Sequence, residues 1–251
     1  MGSVANIFCH PVKGIGRLQL TTVDLLAGKT MPFDRHWAVM HEASKFDKAS
    51  PAWTPCNNFI RGAKAPELQA ITVTGFEPGK FIELQHTNGV PFRFNPDNAA
   101  DHAGFINWLA QFVPANRAAP DALVKAPERG MTDSNFPSIS ILNRASLREL
   151  SNKAGQVMEI ERFRGNIWLD GLGPWAEFDW IGKTVRIGSV ELIIRERIGR
   201  CMATTVNPAT GKQDVATLKL LQAAWGHTDF GVFGEVIKSG RVSTTDTLEI
   251  L

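Results

Sequence analysis

Val190-Glu191-Leu192-Ile193-Ile194-Arg195-Glu196-Arg197-Ile198-Gly199-Arg200-Cys201-Met202-Ala203-Thr204-Thr205-Val206-Asn207-Pro208-Ala209-Thr210-Gly211 shows how this chain is built and what it works with. The apolar run at its start predicts a strand over 190–197, and a polar turn ending in Pro208 and Gly211 follows. Between strand and turn stands Cys201, beside Arg200 and close to Arg197. Adjacent cations lower a thiol's pKa and favour the thiolate, the form that attacks electrophiles or binds soft metals. A cysteine kept only for packing more often has apolar residues on both sides. At this level nucleophilic, redox and metal-binding roles for Cys201 all stay open.

The same alternation of short run and turn extends in both directions. Residues 4–10, 37–41, 71–74, 81–85 and 91–94 predict strands, with Gly75-Phe76-Glu77-Pro78-Gly79 and Thr87-Asn88-Gly89 as turn signals. Ala99, Ala103, Ile106, Leu109 and Val113 recur at helical spacing and predict one helix. Pro114 and Ala118-Ala119-Pro120 end that helix and predict a linker. In the second half, strands are expected at 139–142, 161–169, 184–187, 232–237 and 247–251. Helices are expected at 144–152, capped by Asn143 or Ser146, and at 215–225, carrying Leu218, Leu221 and Trp225. Many strands with few helices predict barrel or sandwich architecture rather than alternating βαβ units.

Composition narrows the function classes. The 251 residues suffice for one large core or two modest ones, and 43% hydrophobic with 21% charged residues is a soluble globular balance. A net charge of +2 does not point to nucleic acid or an anionic membrane, so any anion site must be local. No run approaches the roughly 18 apolar residues of a membrane helix, and the N-terminus lacks an export signal. A cytoplasmic location is expected, with Cys9, Cys56 and Cys201 as reduced thiols. Three thiols are too few for a four-thiolate iron–sulfur cluster, so electrons would come from another chain.

No Cys-x-x-Cys or His-Glu-x-x-His motif is present, and the six histidines show no ligand spacing. His36 and His41 would point to opposite faces of a strand. Gly14-Ile15-Gly16 reads as a turn rather than a nucleotide loop, and no Gly-x-Ser-x-Gly elbow supports a serine triad. What remains is a set of basic residues beside turns: Lys13, Arg35, Arg164 with Asn166, and Arg200. Singly each reads as a solvated or capping side chain. Together they suit an anionic, heterocyclic ligand, because Arg recognises phosphate bidentately and Asn can pair with a ring edge.

These residues lie in His10-Pro11-Val12-Lys13, Asp34-Arg35-His36-Trp37, Phe163-Arg164-Gly165-Asn166 and Gly199-Arg200-Cys201 through Gly211, with Phe230-Gly231-Val232-Phe233-Gly234 downstream. In that order the motifs resemble the MOSC family, specifically an N-terminal MOSC β-barrel domain followed by a MOSC domain. The pattern is similar to mitochondrial amidoxime-reducing components and bacterial hydroxylaminopurine-detoxifying relatives. The resemblance implies a β-rich α+β fold of two packed β-barrel-like domains with a few short helices, divided at 1–115 and 116–251.

It further implies that Cys201 is the catalytic cysteine and the protein's ligand to molybdenum. Lys13 and Arg35 would hold the pterin phosphate, and Arg164, Asn166 and Arg200 the pterin and its linker. A soft thiolate suits a metal already softened by a dithiolene. The implied activity is reduction of amidoximes or N-hydroxylated bases, with a ferredoxin, flavoprotein or cytochrome b5-type protein as electron donor. No direct nucleic-acid contact and no membrane span are implied. The alternative is a sulfur carrier or cofactor-handling protein using a Cys201 persulfide. Pyridoxal phosphate, also associated with such domains, would need a buried lysine of depressed pKa; only Lys13 offers itself, and that cofactor is not expected. Two departures stand out: Gly14 replaces a serine frequent in relatives, and Asp133, Ser134 and Ser138 fit the Asp-x-Ser-Pro loop too loosely to be given roles.

Overall fold

The computed structural model describes residues 2–125 and 129–251. The chain opens with β1 (Ser3–Cys9), β2 (Leu18–Leu20), β3 (Thr22–Leu25) and β4 (Trp37–His41). A meander follows, β5 (Ile71–Glu77), β6 (Phe81–His86) and β7 (Phe92–Phe94), and then helix α1 (Ala99–Ala110). Next come β8 (Pro120–Lys125), β9 (Ile139–Asn143), α2 (Arg144–Ala154) and β10 (Ile167–Asp170). The last part holds β11 (Thr184–Ile187), β12 (Val190–Gly199), α3 (Thr217–Trp225), β13 (Asp229–Lys238), β14 (Gly240–Ser243) and β15 (Leu248–Ile250). This is the β-rich α+β fold that the strand pattern predicts.

Eight strands form the main sheet in the order β15-β11-β12-β13-β9-β10-β1-β2. Strand β1, at the N-terminus, pairs antiparallel with β10 through Val4↔Leu169 and Ile7↔Ile167. The first residues of the chain therefore complete the sheet of the second half. Its alternating inward residues, Ile7, Ile141, Ile167, Leu192, Ile194 and Val232 among them, are fully buried; each such side chain contributes about 1.5–3 kcal/mol by leaving water. Strands β9 and β10 are parallel, with α2 as their crossover. This is one βαβ unit where none was expected. A parallel pair needs a long connection, and the α2 segment provides it.

A second core joins the meander to α1. The buried face of α1 is Phe105, Trp108 and Leu109, continued by Phe112; of the expected stripe Leu109 is fully buried, Ile106 and Val113 pack half-buried against the core, and Ala99 and Ala103 are exposed. Both sets have helical spacing, but the aromatic set has more apolar surface to remove from water, and it takes the core. Phe105 stacks on Phe94 at 4.2 Å between ring centroids. Asn98 caps the helix by accepting from the Ala100 N–H. The expected linker at 118–120 leads directly into β8, which pairs antiparallel with β4; Pro120 stands at the first strand position, where its missing N–H is tolerated.

The expected strand over 161–169 begins only at Ile167. Residues Ile160–Phe163 form a short 3-10 turn, and Arg164 adopts a left-handed conformation with φ +47° that interrupts any extended run. Asn143, one of the two expected caps of α2, accepts from the Ala145 N–H at 2.9 Å. No helix among the described residues is long and apolar enough to cross a membrane.

Two measurements test this packing. Ile141→Ala should cost about 2–5 kcal/mol in urea unfolding because it opens a cavity in the sheet's buried centre, whereas Ile181→Ala, at a 40% exposed side chain, should stay within about 0.5 kcal/mol. Equal costs would misplace the core. Glu177 is fully buried, its carboxylate accepting from Asn143 Nδ2 and Ser146 Oγ, both at 2.8 Å. Burial pushes its pKa up, with those hydrogen bonds opposing. The folded state therefore holds this proton more tightly than the unfolded chain, and stability falls as pH rises from about 4.3 towards the raised folded value. The stability of Glu177→Gln relative to the parent should grow across that window; a flat difference would refute the assignment.

Candidate functional site

Four turns meet around one cavity. They are the Lys13-Gly14 turn after β1, the Asp34-Arg35 turn before β4, the Arg164 turn before β10 and the Arg200-Cys201 turn after β12. Between them lies a cavity of about 450 Å³, and Lys13, Arg35, Arg164, Asn166, Arg200 and Cys201 all line it. The structure thus brings together every residue singled out in the sequence. Seven basic side chains and two acidic ones form its walls, so the cavity suits an anion.

Lys13 is buried, and its Nζ donates to the Met131 carbonyl at 2.7 Å and to Asp133 Oδ1 at 2.5 Å. Arg35, also at positive φ (+52°), pairs with Asp34 through Nη1 and donates from Nη2 to the Arg164 carbonyl at 2.9 Å. Asp34 is buried and accepts from the His10 N–H at 2.8 Å and lies 3.2 Å from His10 Nδ1. Burial pushes the Asp34 carboxyl up, but the Arg35 guanidinium and His10 more than reverse this and hold it well below the usual carboxylate range. Burial and the Arg164 charge push His10 down to about 3. The neutral imidazole then donates to Asp34 from Nδ1, since an ionised carboxylate only accepts.

Arg164 donates from Nη1 to the Gly16 carbonyl at 2.8 Å, while its buried Nη2 has no hydrogen-bond partner. Burial, then the neighbouring Arg35 charge, pulls this guanidinium down to about 9. Arg200 donates to the carbonyls of Phe163 and Phe230 and lies over both of their rings. Burial likewise pulls it down to about 9, with Cys201 and Asp133 working the other way. Both remain charged at neutral pH, neither has a carboxylate in ion-pair contact among the described residues, and a bound anion would relieve both.

Asn166 stands in the cavity wall with its amide engaged. Its Oδ1 accepts from Ser140 N and Oγ, and its Nδ2 donates to the Phe8 carbonyl at 3.1 Å. It stitches β1, β9 and β10 together beside the cavity. Cys201 is exposed at the cavity wall and caps the 3-10 turn Met202–Thr205. Three contacts hold its loop: Gln69 Nε2 to the Ala203 carbonyl at 3.0 Å, Thr217 Oγ1 to the Thr204 carbonyl at 2.9 Å, and the buried Arg162 paired with Asp214. Cys9 is buried instead, and burial followed by the Asp34 charge pushes its thiol pKa up.

The residues named in the sequence were not the whole wall. Asp133 reaches the cavity as the partner of Lys13, and Cys56 and Arg61 enter from the loop before β5. Asp133 belongs to the segment whose departure from the loop pattern left it without a role; a pairing across 120 positions has no local signal. Cys56 and Arg61 carry no motif at all.

The donor set fits a pterin phosphate with a soft metal at one end. Arg164, whose buried Nη2 has no partner among the described residues, lines the cavity, and an exposed thiol stands on its wall. Comparison with known proteins agrees with this geometry. The MOSC domain model matches residues 130–249, and the MOSC N-terminal beta barrel domain model matches residues 1–118. Mitochondrial amidoxime reducing component 2 of Homo sapiens is 39% identical over 249 residues, covering 87% of this chain and 72% of that protein. Mitochondrial amidoxime-reducing component 1 of Mus musculus is 24% identical, covering 100% of this chain and 83% of that protein. The molybdenum cofactor sulfurase of Anopheles gambiae is 26% identical over 118 residues, which is 42% of this chain and 15% of that protein. Matched along both halves and similar to the amidoxime-reducing components over most of its length, this chain belongs to the MOSC family, as a MOSC domain preceded by a MOSC N-terminal beta barrel domain.

Proposed function

We propose that this protein is a molybdenum-cofactor-dependent reductase of N-hydroxylated compounds, amidoximes and N-hydroxylated bases being the substrate class. One observation carries the reading: an exposed thiol, Cys201, shares a cavity with two half-buried arginines, Arg164 and Arg200, that have no carboxylate partner among the described residues. Molybdenum held by a pterin dithiolene supplies oxygen-atom acceptance when bound, and the net conversion takes R–NHOH, two electrons and two protons to R–NH2 and water.

The remaining work belongs to this chain. Cys201 Sγ would hold the metal, and its exposure leaves room for substrate and for water to deliver protons. Arg164 Nη2 and the Arg200 guanidinium hold the pterin and its linker, exchanging unpaired charge for charge-assisted hydrogen bonds. Lys13 and Arg35 give the phosphate end its positive potential, with Asp133 and Asp34 fixing their positions. Asn166 keeps the wall rigid. The electrons come from a separate ferredoxin, flavoprotein or cytochrome b5-type donor.

The exposure of Cys201 also suits a second reading, a persulfide carrier or cofactor-handling protein. A persulfide carrier leaves Arg164 and Arg200 no task, whereas a cofactor handler would use them to hold the pterin in passing.

Protein made in a cofactor-competent host should carry about one molybdenum and one pterin per chain, one thiolate serving one metal. Cys201→Ala should lose most of the metal. Metal-free parent protein with a persulfide on Cys201 by mass spectrometry would favour the carrier. The loaded protein should reduce benzamidoxime or N-hydroxyadenine with an artificial reductant, and no turnover would leave cofactor binding alone. Arg164→Gly should separate fold from binding. Glycine accepts the positive φ, so stability should hold within about 1 kcal/mol, while pterin content falls. Unchanged pterin content would remove Arg164 from the site.

A further inference from the structure

We infer that Arg61 is a phosphate-recognition residue, forming with the Lys13-Gly14 turn an oxyanion subsite on the wall contributed by the first half of the chain. The inference rests on reading the cavity as a ligand cavity and adds to it a residue that no motif marks.

The first support is unused donor capacity. Arg61 lines the cavity, and its side-chain hydrogen bond among the described residues runs from Nη1 to Cys56 Sγ at 2.8 Å. A guanidinium has five N–H donors, so most of those on Arg61 are free. Lys13, Arg35 and Arg162 each have a carboxylate within ion-pair distance; among the described residues Arg61 has none.

The second support is position. A Cβ at Gly14 would stand 2.9 Å from the Ile60 carbonyl oxygen and 3.1 Å from Arg61 Cα, and Gly14 has φ +75°. The 60–61 backbone therefore lies directly on the Lys13-Gly14 turn and leaves residue 14 no room for a side chain. On its other side, a Cβ at Gly62 would come within 3.6 Å of Ala203 Cβ, two residues past Cys201. Arg61 thus stands between the lysine turn and the cysteine loop.

The third support is chemistry. Lys13 Nζ already serves Met131 and Asp133, and residue 14 has no hydroxyl to offer. One of the three ammonium donors stays free, and Arg61 supplies more, in a planar fork that matches a phosphate better than a lysine does. The ligand group is a phosphate monoester, carried either by the pterin or by a phosphorylated substrate.

The first measurement uses chain made without cofactor, titrated calorimetrically with inorganic phosphate and pyrophosphate at low ionic strength. The parent should bind, and Arg61→Gln should bind about tenfold more weakly or worse. Arg61→Lys should fall between them. Lys64→Gln, which removes an exposed charge outside the cavity wall, should match the parent. A parent that binds neither anion, an Arg61→Gln variant that binds as the parent does, or an equal loss in Lys64→Gln would overturn the inference.

Loaded protein then identifies the source. If Arg61→Gln lowers pterin and molybdenum content, the phosphate is the cofactor's. If content holds and KM rises for phosphorylated but not for neutral N-hydroxylated substrates, it is the substrate's. No change in either quantity overturns the inference. A parent that binds phosphate through Arg61 yet holds no molybdenum rejects the reductase and leaves the subsite standing.

Discussion

The buried carboxylate of Asp34 is the contact on which the site depends. One oxygen accepts from the backbone N–H of His10, with His10 Nδ1 also in reach, and the other pairs with Arg35. Arg35 in turn donates to the Arg164 carbonyl. Three turns that are far apart in sequence are thereby referenced to a single charge. Removing one partner from a buried ionic network leaves the others uncompensated and typically costs about 3–5 kcal/mol. Here the loss would also release Arg35 and Arg164 from their common anchor.

Sheet topology explains why these turns meet. Strand β1 lies beside β10, so the lysine turn that leaves β1 and the arginine turn that enters β10 share one end of the sheet. Strand β9, on the other side of β10, runs parallel to it and supplies Ser140, which fixes Asn166. Arg35 and Arg164 both occupy the left-handed region, at φ +52° and +47°. Each costs of the order of 1–3 kcal/mol and persists only where its surroundings over-determine it. Phe33, Trp175 and Thr245 share that region without lining the cavity, so among the described residues two of the five such non-glycine positions stand on its wall.

Much of this was legible because it is local. Strands at 37–41 and 184–187 follow from their apolar runs, and the cap at Asn143 from its place before α2. Lys13, Arg35, Arg164 and Arg200 could be named because each stands beside a turn, within a motif whose order along the chain is itself a signal. What was not legible is long-range or depends on size. The stripe through Ala99, Ala103, Ile106, Leu109 and Val113 finds Leu109 in the core, but Phe105 and Trp108 share the helical spacing, and the burial of their large rings turns the face away from Ala99 and Ala103. The break at Arg164 depends on a backbone conformation that its residue type does not announce. Asp133 and Arg61 belong to the cavity through packing across the chain, which spacing does not record.

The three thiols show how the fold selects one. Cys9 is in the core, where burial and the Asp34 charge both oppose its ionisation. Cys56 is half-buried and accepts from Arg61. Cys201 is exposed at the cavity wall, on a loop held by Gln69, Thr217 and the Arg162–Asp214 pair. The charge in that cavity sets the rest. Asp34 and Asp133 balance Arg35 and Lys13, whereas Arg164 and Arg200 are half-buried and have no carboxylate partner among the described residues. A chain that carries such charges is less stable empty than filled, and any anion that binds only the folded state stabilises it by RT ln(1 + [L]/Kd). The same imbalance that weakens the empty fold is what draws an anionic ligand to the wall where Cys201 stands.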